Sequence, residues 1–473
     1  MYLVIGLGFG DEGKGTLIDT LSRLSAQVPP HSGRAAGPPT VIRFNGGPQA
    51  AHHVVTTTGQ SHCFAQFGSG SLCSGAKTLL SRHMLIEPMA LLREAKALHA
   101  LNVKDPLLQL SIDERCVVVT PFHKLLNRMQ EVARGSGRHG SCGLGVGQAW
   151  LDSRNPSVPS LGIGEARDPA RLRRKLSFLQ LVQVDRAEQL VDAHKGVQEL
   201  GSHLREMERS DWVEALVAVY SELLQRIAGL DDGAALANLL KDPVGQHSVL
   251  FEGAQGVLLD AEHGFWPHVS PSYTTFRNAL ELLAESRSEG RPLRLGVLRA
   301  YGTRHGPGPF VTEDMDLQTY LPERHNLENP WQGAMRIGWF DAVAARYAIT
   351  AAGGVDQVAL TNLDRLSGLP RLRVCVGYRD GGGTAAGSVL HHLPVAPGPS
   401  RAQQAELTRR LASCVPIYEE LPGFPSALKD GHLSPAAADF VRFLESPAGL
   451  GVPIAIVSVG PTSADKLFLH IGH

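Results

Sequence analysis

The sequence lacks paired cysteines. The six it carries, Cys63, Cys73, Cys116, Cys142, Cys375 and Cys414, are scattered and form no Cys-x-x-Cys. That speaks against a zinc site or a disulfide frame and fits reduced thiols in a cytoplasmic protein. No apolar run approaches the length of a membrane span. The first residues run straight into an apolar segment with no basic stretch or cleavage site, so no signal peptide is expected. The chain also lacks a charge excess: 45 Lys and Arg face 46 Asp and Glu. It therefore has no electrostatic reason to seek nucleic acid or a membrane surface. No internal repeat is evident. What is abundant is glycine (51) and proline (30) in a chain of 473 residues. That suits a loop-rich α/β enzyme with a large core.

The stretch that organises the rest is Leu3 to Thr20. The apolar run Leu3–Ile5 reads as a buried parallel strand, and apolar spacing from Thr16 reads as a helix. The glycine-rich turn between them is the arrangement that cradles phosphates, through converging N–H groups and a helix N-terminus. Gly8 to Lys14 fits G-x-x-x-x-G-K, but Gly15 stands where Ser or Thr would hold Mg²⁺. Either the turn is merely structural, or the metal ligand comes from Asp11 or Glu12 inside the loop.

Gly10-Asp11-Glu12-Gly13-Lys14-Gly15 resembles the signature of adenylosuccinate synthetases, which join aspartate to IMP using GTP and Mg²⁺. The resemblance continues in order along the chain. Asn45-Gly46-Gly47-Pro48-Gln49-Ala50-Ala51-His52 is similar to a glycine loop ending in a catalytic histidine, which is His52 here. Gln49 replaces an asparagine near the nucleotide phosphate, and Ala51 a glycine whose carbonyl binds Mg²⁺. Val117–Val119 is expected as a central strand with His123 and Lys124 at its end, open between structural and functional roles. Gly140 to Gly147 resembles the loop that grips the 5′-phosphate of IMP, with Ser141 and Cys142 in place of two threonines. A partner-subunit arginine that completes this grip in the family aligns with Pro156 here, with Arg154 nearby. Residues 165–245 read as a helical subregion for packing and a dimer surface.

Phe251-Glu252-Gly253-Ala254-Gln255-Gly256 looks like the motif whose glutamine, Gln255, reads the purine edge; Ser270 stands for a phosphate-binding threonine. Tyr301 to Phe310 also matches, with Arg304 either structural or ligand-facing. The loop before Gly338-Trp339-Phe340-Asp341 does not match. The family holds the aspartate carboxylates there with several arginines, and only Arg336 remains beside Trp331, Gln332, Gly333, Ala334 and Met335. Thr361-Asn362-Leu363-Asp364 resembles the guanine-reading motif, with Asn362 in place of the lysine that covers the base. Ser458-Val459-Gly460-Pro461 resembles a second guanine-contacting loop on the last strand, Ala455 to Pro461.

The resemblance implies one α/β domain over 1–473, P-loop NTPase-like, with a mostly parallel central sheet flanked by helices and with helical and loop-rich insertions. It implies a GTP- and Mg²⁺-dependent ligase, forming a homodimer, that acts on a purine nucleotide and an amine. Asp11, His52, Lys14 and Gln255 would be catalytic. Gly10, Glu12, Gly13, Lys14, Gly15, Asn362, Asp364, Ser458, Gly460 and Pro461 would bind GTP. Gln49, Ser141, Cys142, Gln255, Ser270, Arg304 and Arg336 would bind substrate, and Asp11 and Ala51 the metal. Two alternatives stay open: a paralogue with another amine or purine acceptor, and a nucleotide-binding regulator without turnover.

Overall fold

The computed structural model describes residues 1–27, 38–241, 248–288, 290–322, 331–381 and 387–469. A ten-stranded sheet runs through the chain. Its order across the sheet is Lys466–Phe468, Ile454–Ser458, Gln357–Thr361, Leu293–Arg299, Tyr2–Gly6, Val249–Gly256, Thr40–Arg43, Lys77–Leu80, Leu110–Asp113 and Gly229–Asp231. Every pairing is parallel except the edge strand Lys466–Phe468, which runs antiparallel to Ile454–Ser458. A parallel sheet must be covered on both faces, so its strands are mostly apolar. Alternation along Tyr2–Gly6 sends Leu3 and Ile5 into one core and Val4 into another, where it meets Leu17 and Ile18 of the helix Lys14–Gln27. A third core lies under the helices Pro88–Ala100, Pro121–Arg134, Pro169–Ala193, Gln198–Met207 and Trp212–Arg226.

This topology decides where chemistry can happen. Because the strands are parallel, the ends of Tyr2–Gly6, Thr40–Arg43, Val249–Gly256, Leu293–Arg299, Gln357–Thr361 and Ile454–Ser458 all lie on one edge. Ligands of such sheets gather at that carboxyl edge. The glycine loop leaves the central strand there.

Three expectations are corrected. Val117–Val119 is not a central strand: Val117–Val118 only pairs Leu85–Ile86 in a small sheet of its own. Thr120 caps a helix that starts with Pro121 at once, which ends the extended run. His123 and Lys124 therefore sit in that helix. The His123 ring Nδ1 accepts the Thr120 N–H at 3.0 Å, and Lys124 pairs with Glu87 at 3.0 Å, so both are structural. The helical run 165–245 includes one edge strand, Gly229–Asp231. The strand expected at Ala455–Pro461 is present as Ile454–Ser458, but the last strand is Lys466–Phe468.

Candidate active site

Between the central strand and its helix, the loop from Leu7 to Gly13 folds around the carboxylate of Glu12. The Gly8 and Gly10 N–H groups donate to Glu12 Oε1 at 2.9 and 2.7 Å, and Lys14 Nζ donates to Oε2 at 2.6 Å. Lys14 Nζ also reaches the Gly10 carbonyl at 2.8 Å. Glycine makes the recess: a Cβ on Gly6 would lie 2.1 Å from Glu12 Oε2, and one on Gly256 would lie 2.5 Å from Oε1. In this state, then, the donors expected for phosphates are held by the loop's own carboxylate. Thr361 Oγ1 fixes the loop from the end of the strand Gln357–Thr361, two strands away in the sheet, by donating to the Glu12 carbonyl at 2.6 Å. Gly15 has a steric reason: a Cβ there would stand 2.8 Å from the Cβ of His52. The helix start and the His52 strand are too close for Ser or Thr.

His52 opens the strand His52–Val55 and is buried. Its Nδ1 faces Glu252 Oε1 at 2.6 Å. The Ser69 N–H donates to Glu252 Oε2 at 2.9 Å, and the Ser69 hydroxyl donates to Oε1. Burial pushes the Glu252 carboxyl up, but Arg43, His52 and the Ser69 hydroxyl outweigh it and hold it down to about 2. Burial lowers the His52 pKa against the pull of Glu252, and since a carboxylate only accepts, Nδ1–H donates to it. The linkage has a definite sign. A carboxyl depressed from 4.5 to about 2 adds stability that is fully present above pH 4.5 and is lost as pH falls through about 2. The melting temperatures of the parent and Glu252→Gln are expected to differ at pH 7 and converge in acid; a difference independent of pH would refute this.

Asp11 sits at the loop tip, its carbonyl accepting from Arg299 Nε. Burial raises the Asp11 carboxyl and prevails over Arg299 and His305, which pull it down. Gln255 is held at φ +58°, and its buried Oε1 has no hydrogen-bond partner. Both amide atoms of Gln49 are buried and equally unpartnered. The two loops carrying these amides are tied by Asn45, which donates to the Ala254 carbonyl at 3.0 Å and accepts its N–H at 2.7 Å. Buried orphan amides are costly, and a purine nucleotide offers the donors and acceptors they lack. Ala51 is exposed and is not among the residues with left-handed backbone, so replacing glycine leaves its carbonyl usable as a metal ligand.

At the end of the strand Gln357–Thr361, Asn362 takes the left-handed conformation at φ +59° and starts the turn Leu363–Leu366 that carries Asp364. Burial raises the Asp364 carboxyl. Ser458 Oγ donates to the Gly460 carbonyl at 2.9 Å, and Thr16 Oγ1 reaches the Pro461 carbonyl at 2.9 Å, which locks this loop to the phosphate helix. Lys466 Nζ donates to the Gly460 and Thr462 carbonyls at 3.0 and 2.7 Å, and burial brings its pKa down to about 8.

In the loop before the helix Val146–Asp152, Ser141 Oγ donates to Asn127 Oδ1 at 2.9 Å and accepts the Gly143 N–H at 3.1 Å. Burial raises the Cys142 thiol, which is therefore protonated. Ser270 is partly buried in the loop after Val257–Leu259, its N–H on the Leu259 carbonyl at 2.7 Å. The two arginines sort differently from the other substrate residues. Arg304 is buried, stacks over Phe9 at 4.2 Å, and donates to the Pro307 and Pro309 carbonyls at 2.8 and 2.7 Å. Burial takes its pKa down to about 9, and it acts as a strut of the 307–309 loop. Arg336 chelates Glu313, with Nε to Oε1 at 2.8 Å, and also reaches the Gly308 carbonyl at 2.9 Å.

Sequence reasoning assigned no role to Glu252, Arg299, Thr361 or Lys466. Glu252 and Thr361 stand inside quoted motifs, next to residues that were given roles. Their signal was a buried charge or hydroxyl at the end of a parallel strand.

Comparison with known proteins follows this geometry. The profile of a family described as adenylosuccinate synthetase matches residues 3–467. The adenylosuccinate synthetase of Neisseria meningitidis serogroup B is 32% identical over 480 residues, covering 99% of this chain and 98% of that protein. That of Anaeromyxobacter dehalogenans (strain 2CP-1) is 32% identical over 478 residues, at 99% and 98%. Among solved structures, the fully ligated adenylosuccinate synthetase of Plasmodium falciparum superposes with a TM-score of 0.77 at 22% identity, covering 99% of both chains. The cyanophage S-2L succinoaminodeoxyadenylate synthetase, bound to dGMP and dATP, superposes with a TM-score of 0.56 at 18% identity, covering 99% of this chain and 94% of that one. At those identities the two structures speak for the fold.

Proposed function

The chain belongs to the adenylosuccinate synthetase family and is a GTP-dependent ligase, and from that premise we propose that it phosphorylates the 6-oxo group of an IMP-like purine nucleotide and replaces it with an amine, aspartate in the family. One observation carries the reading: the glycine loop, the His52–Glu252 pair and the unpartnered amides of Gln49 and Gln255 share one sheet edge.

Oxide is a poor leaving group, so the 6-oxygen is first made a phosphate ester. Asp11 takes the N1 proton, and its raised basicity suits that task. The freed electron pair moves to the 6-oxygen, which bonds the γ-phosphorus as the bond to the GDP oxygen breaks. His52 donates to the 6-oxygen from Nε2. That requires a ring with two protons, and the Glu252 carboxylate makes the state accessible. Lys14 and the loop N–H groups neutralise the moving phosphoryl group once Glu12 yields them. Gln255 orients the base. The amine then bonds C6, the C6–O bond breaks, phosphate departs and the amine loses its proton. Asp11 and the Ala51 carbonyl would hold Mg²⁺, which when bound supplies charge neutralisation at the phosphates.

Asp364 is proposed to pair with the guanine N1–H and N2–H₂, a pair adenine does not offer. We further propose a cytoplasmic homodimer. Among the described residues no helix is long and apolar enough to cross a membrane. Phe178 (56% exposed) and Leu181 (67%) on the helix Pro169–Ala193 offer an apolar strip for a two-fold contact. Neither the paralogue nor the non-catalytic alternative is favoured by the comparisons.

The test is phosphate release with IMP, GTP, Mg²⁺ and amine. Turnover is expected to require IMP and to prefer GTP to ATP, with the preference weakened by Asn362. Equal affinity for the two nucleotides in calorimetry would remove Asp364 from its role, and phosphate release indifferent to IMP would remove the reaction.

A further inference from the structure

The loop Gly140–Gly145 is where the acceptor's phosphate belongs on the reading above, and this inference rests on that reading. Its family cation aligns with Pro156, and the neighbouring Arg154 is stacked on Trp150 at 3.8 Å. The helix Pro121–Arg134 supplies another. Asn127 on that helix accepts the Ser141 hydroxyl at 2.9 Å and the Gly145 N–H at 3.3 Å. The next residue, Arg128, donates Nε to the Gly143 carbonyl at 3.1 Å. Its charge acts on the Cys142 thiol. Among the described residues Arg128 has no ion-pair partner, whereas Arg134 of the same helix is paired with Glu131 and Arg336 with Glu313.

Trp331 fixes this arrangement. The Arg128 guanidinium lies 5.8 Å from its ring centroid, and a Cβ on Gly143 would stand 3.1 Å from the same ring. Gln332 Nε2 anchors the segment by donating to the Gly140 carbonyl at 3.2 Å. We propose that Arg128 is a binding residue for the phosphate monoester of the acceptor nucleotide, supplied by this chain itself in place of a partner-subunit arginine, with Trp331 as the plate that holds its guanidinium. Nε is spent on the backbone, so the terminal nitrogens carry the fork suited to phosphate. A thiol at Cys142 donates weakly, which increases the demand on the cation.

Equilibrium binding of IMP and of inosine to the full chain tests this, because the two differ only in the phosphate. Arg128→Ala is expected to weaken IMP by ~10- to 100-fold, the range of one charge-assisted bond, and to leave inosine and GDP unchanged. Arg128→Lys should fall between. A variant that keeps parental IMP affinity, or that weakens IMP and inosine alike, would overturn the assignment while leaving the function standing. If Arg128→Ala does not fold, Arg128→Lys decides: a reduced IMP-to-inosine preference supports the role and an unchanged one overturns it. A parent chain that binds no IMP would overturn both the assignment and the reading beneath it.

Discussion

Asp11→Asn and His52→Ala are each expected to lower kcat by ~10²- to 10⁴-fold, the usual worth of a positioned acid or base, while GDP still binds in the absence of Mg²⁺. On the proposed reading both side chains act on the acceptor, and leaving out Mg²⁺ removes the one proposed link between Asp11 and the nucleotide donor. Asp11 is poised at the loop tip with its carbonyl tied to Arg299, and burial keeps its carboxyl more basic than usual. His52 presents Nε2 because Nδ1 is committed to Glu252. On the proposed reading the donor's phosphates would fall to a different set, the Gly8 and Gly10 N–H groups and Lys14, which Glu12 holds in this structure. Glu252→Gln should cost less than His52→Ala, since it leaves the ring in place but withdraws the charge that supports a doubly protonated imidazole. Steady-state kinetics with IMP and GTP, paired with GDP calorimetry, separates the two sets. Near-parental turnover of either Asp11→Asn or His52→Ala would end that residue's assignment.

The parts of this site legible in the sequence are those where one residue type has one use. A glycine loop after Leu3–Ile5, followed by helical spacing, has few structural meanings, and the strand, loop and helix stand where they were expected. Tertiary relations were not legible. Val117–Val119 has strand propensity, but Thr120-Pro121 starts a helix immediately, and the capping geometry claims His123. Gly15 departs from the phosphate-loop pattern for a reason no local window contains, the strand carrying His52 pressed against it. Glu252 looks in sequence like one more residue of an apolar strand. Only the parallel pairing of Val249–Gly256 with Thr40–Arg43 brings it to His52, 200 positions away.

L-Aspartate is expected to saturate the enzyme poorly, with a KM roughly a hundredfold or more above that of family members with an arginine-rich amine loop. A dicarboxylate needs cations with free donors, and bidentate arginine is the usual solution. Here the loop retains only Arg336, whose guanidinium is spent on Glu313 and on the Gly306 and Gly308 carbonyls. Arg304 cannot substitute, because its nitrogens hold the Pro307 and Pro309 carbonyls beneath Phe9. Arg324 lies outside the described residues. Met335 is buried in the strand Met335–Gly338, and Trp331 is seated on Gly143. Each missing charge-assisted bond is worth ~1.5–3 kcal/mol, so two of them account for the expected loss. Glu313→Gln provides an internal check. It frees Arg336 from its carboxylate and should lower the KM for aspartate while leaving that for GTP alone. Saturation by aspartate below a millimolar with normal turnover would show that the remaining cations suffice, and no change in Glu313→Gln would show that Arg336 does not face the amine.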